Sequence, residues 1–203
     1  VFMPTDLYDG GQDRGACRTW VEVSQLTTTL CGASRPHFFR GVTTVVTKLF
    51  NIVEPDIAVF GQKDYQQWRV IDKMVKGLDI PVEIVRMPIA REPDGLAMSS
   101  RNARLSPASR RAAVALPQAL GQAAQEISQG HTSIPAAKTR LIAALEHSGA
   151  EVDYVEVVDG LTLHPTDSST SVMLLAAAAS YDGVRLIDNI ELFIEADPQG
   201  AQG

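Results

Sequence analysis

Residues 56–67 read Asp-Ile-Ala-Val-Phe-Gly-Gln-Lys-Asp-Tyr-Gln-Gln, and this stretch decides the fold. Positions 56–60 carry an almost unbroken apolar interior (Ile57, Ala58, Val59, Phe60), as in a parallel-sheet strand covered on both faces. A turn bearing Gly61 and Lys63 follows, and Asp64 is a natural N-cap for a helix over 64–78. Trp68, Ile71, Met74, Val75 and Leu78 recur at helical spacing and form its apolar stripe.

Working outward, Phe39, Val42, Val45, Val46, Leu49, Phe50 and Val53 define a helix over 39–53, stopped just before Pro55. A strand over 82–87 ends at Pro88. Helix–strand–helix–strand at this spacing predicts a parallel, right-handed α/β unit. Before it, 5–18 reads as an exposed loop, 19–23 as a short strand, and 24–30 as one or two helical turns closed by Gly32. Beyond it, 91–104 is polar and punctuated by Gly and Pro, which places a domain boundary near 89 and gives domains 1–89 and 90–203. Ser106-Pro107 opens a long Ala-rich helix, with a kink or break expected at Pro117. A second helix runs over 134–146 and ends at Gly149. Strands are predicted over 152–158, 171–178 and 184–187, the last two joined as a hairpin through Tyr181-Asp182-Gly183. The second domain is therefore α+β, two helices against a small antiparallel sheet.

Across 203 residues, 45% are hydrophobic and 21% charged, a globular composition that argues against disorder. The net charge of −6 leaves no basic footprint for nucleic acid, so binding of an anionic substrate falls to individual loop cations. Cys17 and Cys31 form no metal-ligand pattern and read as reduced thiols. The longest apolar run, 172–179, falls far short of the ~18 residues a membrane span needs. A cytoplasmic location without membrane partners is the expectation. The opening Val1-Phe2-Met3-Pro4 resembles the end of a strand whose partners lie upstream, an expectation of truncation.

Two stretches carry candidate chemistry. In open α/β sheets the ligand crevice lies beyond the strands' carboxyl ends, where loops enter helix N-termini. There the helix offers unpaired N–H groups and about half a positive charge to an anion. Gly61 permits close backbone approach, and Lys63 adds a charge worth up to ~4 kcal/mol against a phosphate at 4 Å. On spacing alone, 61–64 is equally an ordinary βα turn with a solvated lysine and a capping aspartate. Met98-Ser99-Ser100-Arg101 brings two hydroxyls and a guanidinium to one loop, suited to a polyphosphate or simply to a polar linker. His37, His131, His147 and His164 are scattered, without zinc-ligand spacing or an H-x-G-H pair, and no Walker, G-x-S-x-G or G-x-G-x-x-G motif occurs.

Several blocks, in order, resemble the pantoate–β-alanine ligase family. They are Arg35-Pro36, Phe39-Arg40-Gly41-Val42, the run 44–51, Pro55-Asp56, Gly61-x-Lys63-Asp64-Tyr65-Gln66-Gln67, the run Asp94 to Asn102, and 185–189. The Gly-x-Lys-Asp-x-Gln-Gln block and the Asp-Gly-Leu-Ala-Met-Ser-Ser-Arg-Asn block are highly specific together. The resemblance implies part of a doubly wound, Rossmann-like nucleotidylyltransferase sheet, followed by the small α+β domain. It implies an ATP-dependent ligase that forms pantoyl adenylate and then pantothenate with β-alanine, Mg²⁺ accompanying ATP, and a homodimer. By position, Gly61, Gln62, Lys63 and Asp64 would contact ATP, Gln67 would bind pantoate, and Ala90 would meet the nucleotide through its backbone. Met98, Ser99, Ser100 and Arg101 would close over the phosphates, with Lys63, Ser99, Ser100 and Arg101 stabilising their charge. The family's H-x-G-H segment with its catalytic histidine would precede Val1. Family members usually have Pro-Gly-His-Phe where Pro36-His37-Phe38-Phe39 stands, and Glu where Gln62 and Cys31 stand. Two other readings stay open: a non-catalytic nucleotide-binding or dimerising module of the same family, and an adenylyltransferase acting on another acid.

Overall fold

A computed structural model of the chain describes residues 1–4, 7, 19–167 and 169–193. The loop expected over 5–18, with Cys17, lies almost wholly outside these residues. The chain divides into two compact units, Val1–Met87 and Pro88–Gly203.

In the first unit, helix α1 (Leu30–Ser34) is a single turn and α2 (Phe38–Val53) spans sixteen residues. Strand β1 (Ile57–Gly61) runs through a 3₁₀ turn (Gln62–Asp64) into α3 (Tyr65–Gly77), and β2 (Glu83–Met87) pairs with β1 in parallel. Ile57 lies opposite Glu83 and Gly61 opposite Met87. Phe50 of α2 and Ile71, Met74 and Val75 of α3 form the core, and Ala58, Phe60 and Ile84 pack on it from one face of the sheet. Ile57, Val59 and Met87, on the opposite face, remain 56%, 62% and 49% exposed. That face of the strand is left open among the described residues. Among the described residues the sheet has two strands, and α2 and α3 supply its one apolar cover.

Residues 19–23 form no strand. The hydroxyls of α2 take their place as partners: Thr43 donates to the Val21 carbonyl, and the Val21 N–H donates to Thr44 Oγ1 at 3.0 Å. A side-chain ladder thus satisfies backbone groups that were expected to pair in a sheet. The helical turns expected over 24–30 appear later, as α1, with Gly32 inside the helix and not beyond its end. A Cβ on Gly32 would lie 2.1 Å from the Thr27 carbonyl oxygen, so only glycine admits this close approach.

In the second unit the long Ala-rich helix is two helices, α4 (Pro107–Ala112) and α5 (Ala115–Ser128). Pro117 does not kink the helix at its own position. It is the third residue of α5, where no intrahelical donor is required, and its ring would clash with the carbonyl four residues back if α4 continued. Ser106 caps α4 as expected, accepting from the Ser109 N–H at 3.2 Å. Helix α6 (Ile134–His147) follows, then strands β3 (Glu151–Asp159), β4 (Val172–Tyr181) and β5 (Val184–Phe193) in one antiparallel sheet of that order. The two-residue hairpin places Asp182 and Gly183 at φ 49° and 72°, the geometry that Asp-Gly favours. Leu116, Leu120, Leu141 and Leu145 from α5 and α6 bury against Ala177 and Ala179 of β4. Strand β5 runs six residues past its expected end at Ile187, because its ladder with β4 continues to Val172 opposite Phe193, and the polar pair Asp188 and Asn189 is buried within it, at 2% and 4% exposure.

Candidate functional site

Sheet pairing carries the chain from β1 directly into the 3₁₀ turn and then α3, so 61–64 sits at the carboxyl end of a parallel strand. Gly61 has ordinary extended geometry (φ −78°, ψ 136°), and a Cβ there would meet nothing within 4 Å. Its value lies in open space beside the backbone and not in an unusual φ. Lys63 is 18% exposed, with Nζ 3.6 Å from Asp64 Oδ2. Asp64, 49% exposed, makes no capping hydrogen bond, correcting its expected role at the helix start. The intervening 3₁₀ turn moves its side chain out of capping geometry and toward Lys63. Gln62 and Gln67 are both half-buried, Gln67 in the first turn of α3.

Sequence reading passed over Gln66, the neighbour of Gln67. Its Nε2 donates to the carbonyls of Leu26 and Thr29, both at 2.8 Å, tying the loop before α1 to α3. The adjacent Tyr65 and Trp68 stack edge to face, and the Arg86 guanidinium of β2 lies 4.8 Å from the Trp68 ring centroid.

In the second unit, residues 90–98 form a tight hairpin. Met98 N–H donates to the Ala90 carbonyl and Glu92 N–H to the Leu96 carbonyl, both at 2.8 Å, while Arg91 bridges Ala97. Gly95 sits at φ 90° in the turn, a conformation that disfavours any side chain. Leu96, 2% exposed, anchors the hairpin in the core. Because the Ala90 carbonyl is engaged by Met98, a nucleotide contact from its backbone falls to the N–H or the second lone pair.

Ser99 opens the 3₁₀ turn Ser100–Arg104 and accepts from the Arg101 N–H at 3.2 Å, leaving its hydroxyl proton to donate outward. Met98, Ser100 and Arg101 are exposed, and no hydrogen bond or ion pair occupies the Arg101 guanidinium among the described residues. Asn102 Nδ2 donates to the Ala97 carbonyl at 3.1 Å and pins the far side of the loop. Asp94 is held below the usual carboxylate range, chiefly by the Arg110 guanidinium. Hydroxyls, one guanidinium and an organised backbone in 98–101 can bind a polyanion; the same is true of Lys63 with the start of α3. Among the described residues no group of three or more His, Cys, Asp or Glu could hold a metal ion alone.

Solved structures of similar shape give the class: the chain has a nucleotidylyltransferase-like α/β fold with an appended antiparallel sheet. A pantothenate synthetase from Thermus thermophilus superposes with a TM-score of 0.82 at 40% identity, over 89% of this chain and 66% of its own. The Pantoate-beta-alanine ligase family model matches residues 1–191, and the chain belongs to that family. The Arabidopsis thaliana pantoate-beta-alanine ligase is 46% identical over 213 residues, 95% of this chain and 69% of its own length. A Francisella tularensis pantoate-beta-alanine ligase, solved with beta-gamma ATP and beta-alanine, matches at a TM-score of 0.66 and 28% identity, over 57% of its length. The chain therefore spans between 57% and 69% of these three relatives.

Proposed function

We propose that this chain carries the ATP-handling residues of a ligase that joins pantoate to β-alanine. The observation that supports it most is the pairing of family membership with two intact blocks, 61–67 and 94–102, each held in an ordered turn. Gly61, Gln62, Lys63 and Asp64 contact ATP at the head of α3, and Gln67 binds pantoate. Ala90 contributes its backbone, and Met98, Ser99, Ser100 and Arg101 close over the phosphates. Mg²⁺ would accompany ATP and supply charge neutralisation at the phosphates, and Asp64, beside Lys63, is the carboxylate of that turn that could meet it.

A pantoate carboxylate oxygen bonds to the α-phosphorus while the bond to the pyrophosphate oxygen breaks. Pantoyl adenylate forms and pyrophosphate leaves with the electron pair. The β-alanine amine then attacks the acyl carbon, losing a proton as AMP departs, to give pantothenate. Lys63, Ser99, Ser100 and Arg101 stabilise charge on the phosphates during the first step. A cytoplasmic homodimer is the working state.

A second reading, a non-catalytic nucleotide-binding or dimerising module, draws on the absence of an H-x-G-H pair from these 203 residues. One experiment separates the two. Pantoate-dependent exchange of labelled pyrophosphate into ATP is measured for the chain alone and with the remaining part of a relative added as a separate polypeptide. Exchange in either mixture supports the ligase. ATP binding with no exchange in both supports the module.

A further inference from the structure

Asp188 is 2% exposed in β5, yet it is charged and far in sequence from 98–101. Its two oxygens take a bidentate pair from Arg91, at 2.7 and 3.0 Å, and Oδ1 also accepts the Asn189 N–H at 2.8 Å. Arg91 Nη1 reaches on to the Gly95 carbonyl at 3.0 Å, at the turn of the hairpin. One guanidinium thus joins the edge strand β5 to the first limb and the turn of the hairpin whose last residue is Met98. A fork of this shape is pre-organised and fixes orientation, which a lysine cannot do. The hairpin's other anchors are Leu96, buried in the core, the exposed Asp94–Arg110 pair and the bond from Asn102 to the Ala97 carbonyl.

We infer that Asp188 is a positioning residue: through Arg91 it sets the register of the 90–98 hairpin and so presents Ser99, Ser100 and Arg101 to a nucleotide's phosphates. This rests on the ATP-binding reading proposed above for 98–101. Without the clamp the hairpin samples other arrangements, and apparent affinity falls by the fraction still competent. A competent fraction of one tenth weakens ATP binding about tenfold.

The test compares the wild-type chain with Asp188→Asn and with the double variant Arg91→Met/Asp188→Leu, which removes both charges and keeps the fold where a lone buried charge would not. Amide hydrogen exchange is followed at Glu92, Gly95 and Met98, and Mg·ATP is titrated by calorimetry. The expected result is faster exchange at those three amides in both variants, unchanged exchange in β3 and β4, and ATP binding weakened about tenfold. Unchanged hairpin exchange in the folded double variant overturns the clamp. Faster exchange with ATP bound as tightly as by wild type overturns its role in presentation. If the wild-type chain binds no ATP, the nucleotide reading fails, and exchange alone still decides the clamp.

Discussion

His37 precedes α2 at φ 65°, in the left-handed region where a Cβ crowds the following carbonyl. The Pro-Gly-His-Phe pattern expected from the family resemblance would put glycine here, the residue that this conformation favours. His37 is exposed and contributes no side-chain cap, so little is lost on its removal. His37→Gly is expected to raise stability by about 0.5–1 kcal/mol, measured as a higher urea midpoint at unchanged m. Gly32 is the converse case. Gly32→Ala forces a Cβ onto the Thr27 carbonyl and should cost about 1–3 kcal/mol in the same measurement. Neither effect is visible in composition, because both depend on φ or on the approach of a distant backbone.

At the scale of elements, the threonines of α2 stand in for a missing strand. Thr44→Val keeps the shape but leaves the Val21 N–H without its acceptor, and should cost about 1 kcal/mol by denaturant unfolding. The loops of the second unit are pinned by carboxylates. Asp94 and Glu126 are held below their ordinary range by Arg110 and Arg140, and Asp167 and Asp182 by the hydroxyls of Ser169 and Ser109. Burial pushes Asp159 up, but the N–H groups of Thr162 and Leu161 outweigh it and its value also falls. Groups depressed in the folded state stabilise it above their unfolded values and lose that contribution as pH falls through the folded ones. Thermal stability should therefore be flat from about pH 7 to 5 and drop below about pH 4. A midpoint unchanged at pH 3 would contradict this. The regular helices and the Asp-Gly hairpin were legible in the sequence because spacing and turn chemistry are local. The strand at 19–23 and the end of β5 differ from expectation because partners elsewhere in the chain, the α2 hydroxyls and the β4 ladder as far as Val172, decide them.

Across the whole molecule, the two blocks that mark the family were readable from residues alone, since their residue types and order are specific. What each side chain does locally was not. Asp64 turned toward Lys63 instead of capping α3, and Asp188 became the anchor of a hairpin nearly a hundred positions away. The sheet of the first unit leaves Ile57 and Val59 exposed on one face, a surface that favours association. Val59→Lys should lower binding of a hydrophobic dye with a stability change within about 0.5 kcal/mol, since that side chain is already in solvent. No helix among the described residues is long and apolar enough to cross a membrane. The central claim is that Lys63 and Arg101 hold nucleotide phosphates. Calorimetric titration of Mg·ATP into the wild-type chain, Lys63→Ala and Arg101→Ala tests it most directly. The account predicts saturable binding by wild type, weakened at least about tenfold in each variant by loss of a charge-assisted contact. Equal affinity in all three proteins, or no binding by the wild-type chain, would contradict it.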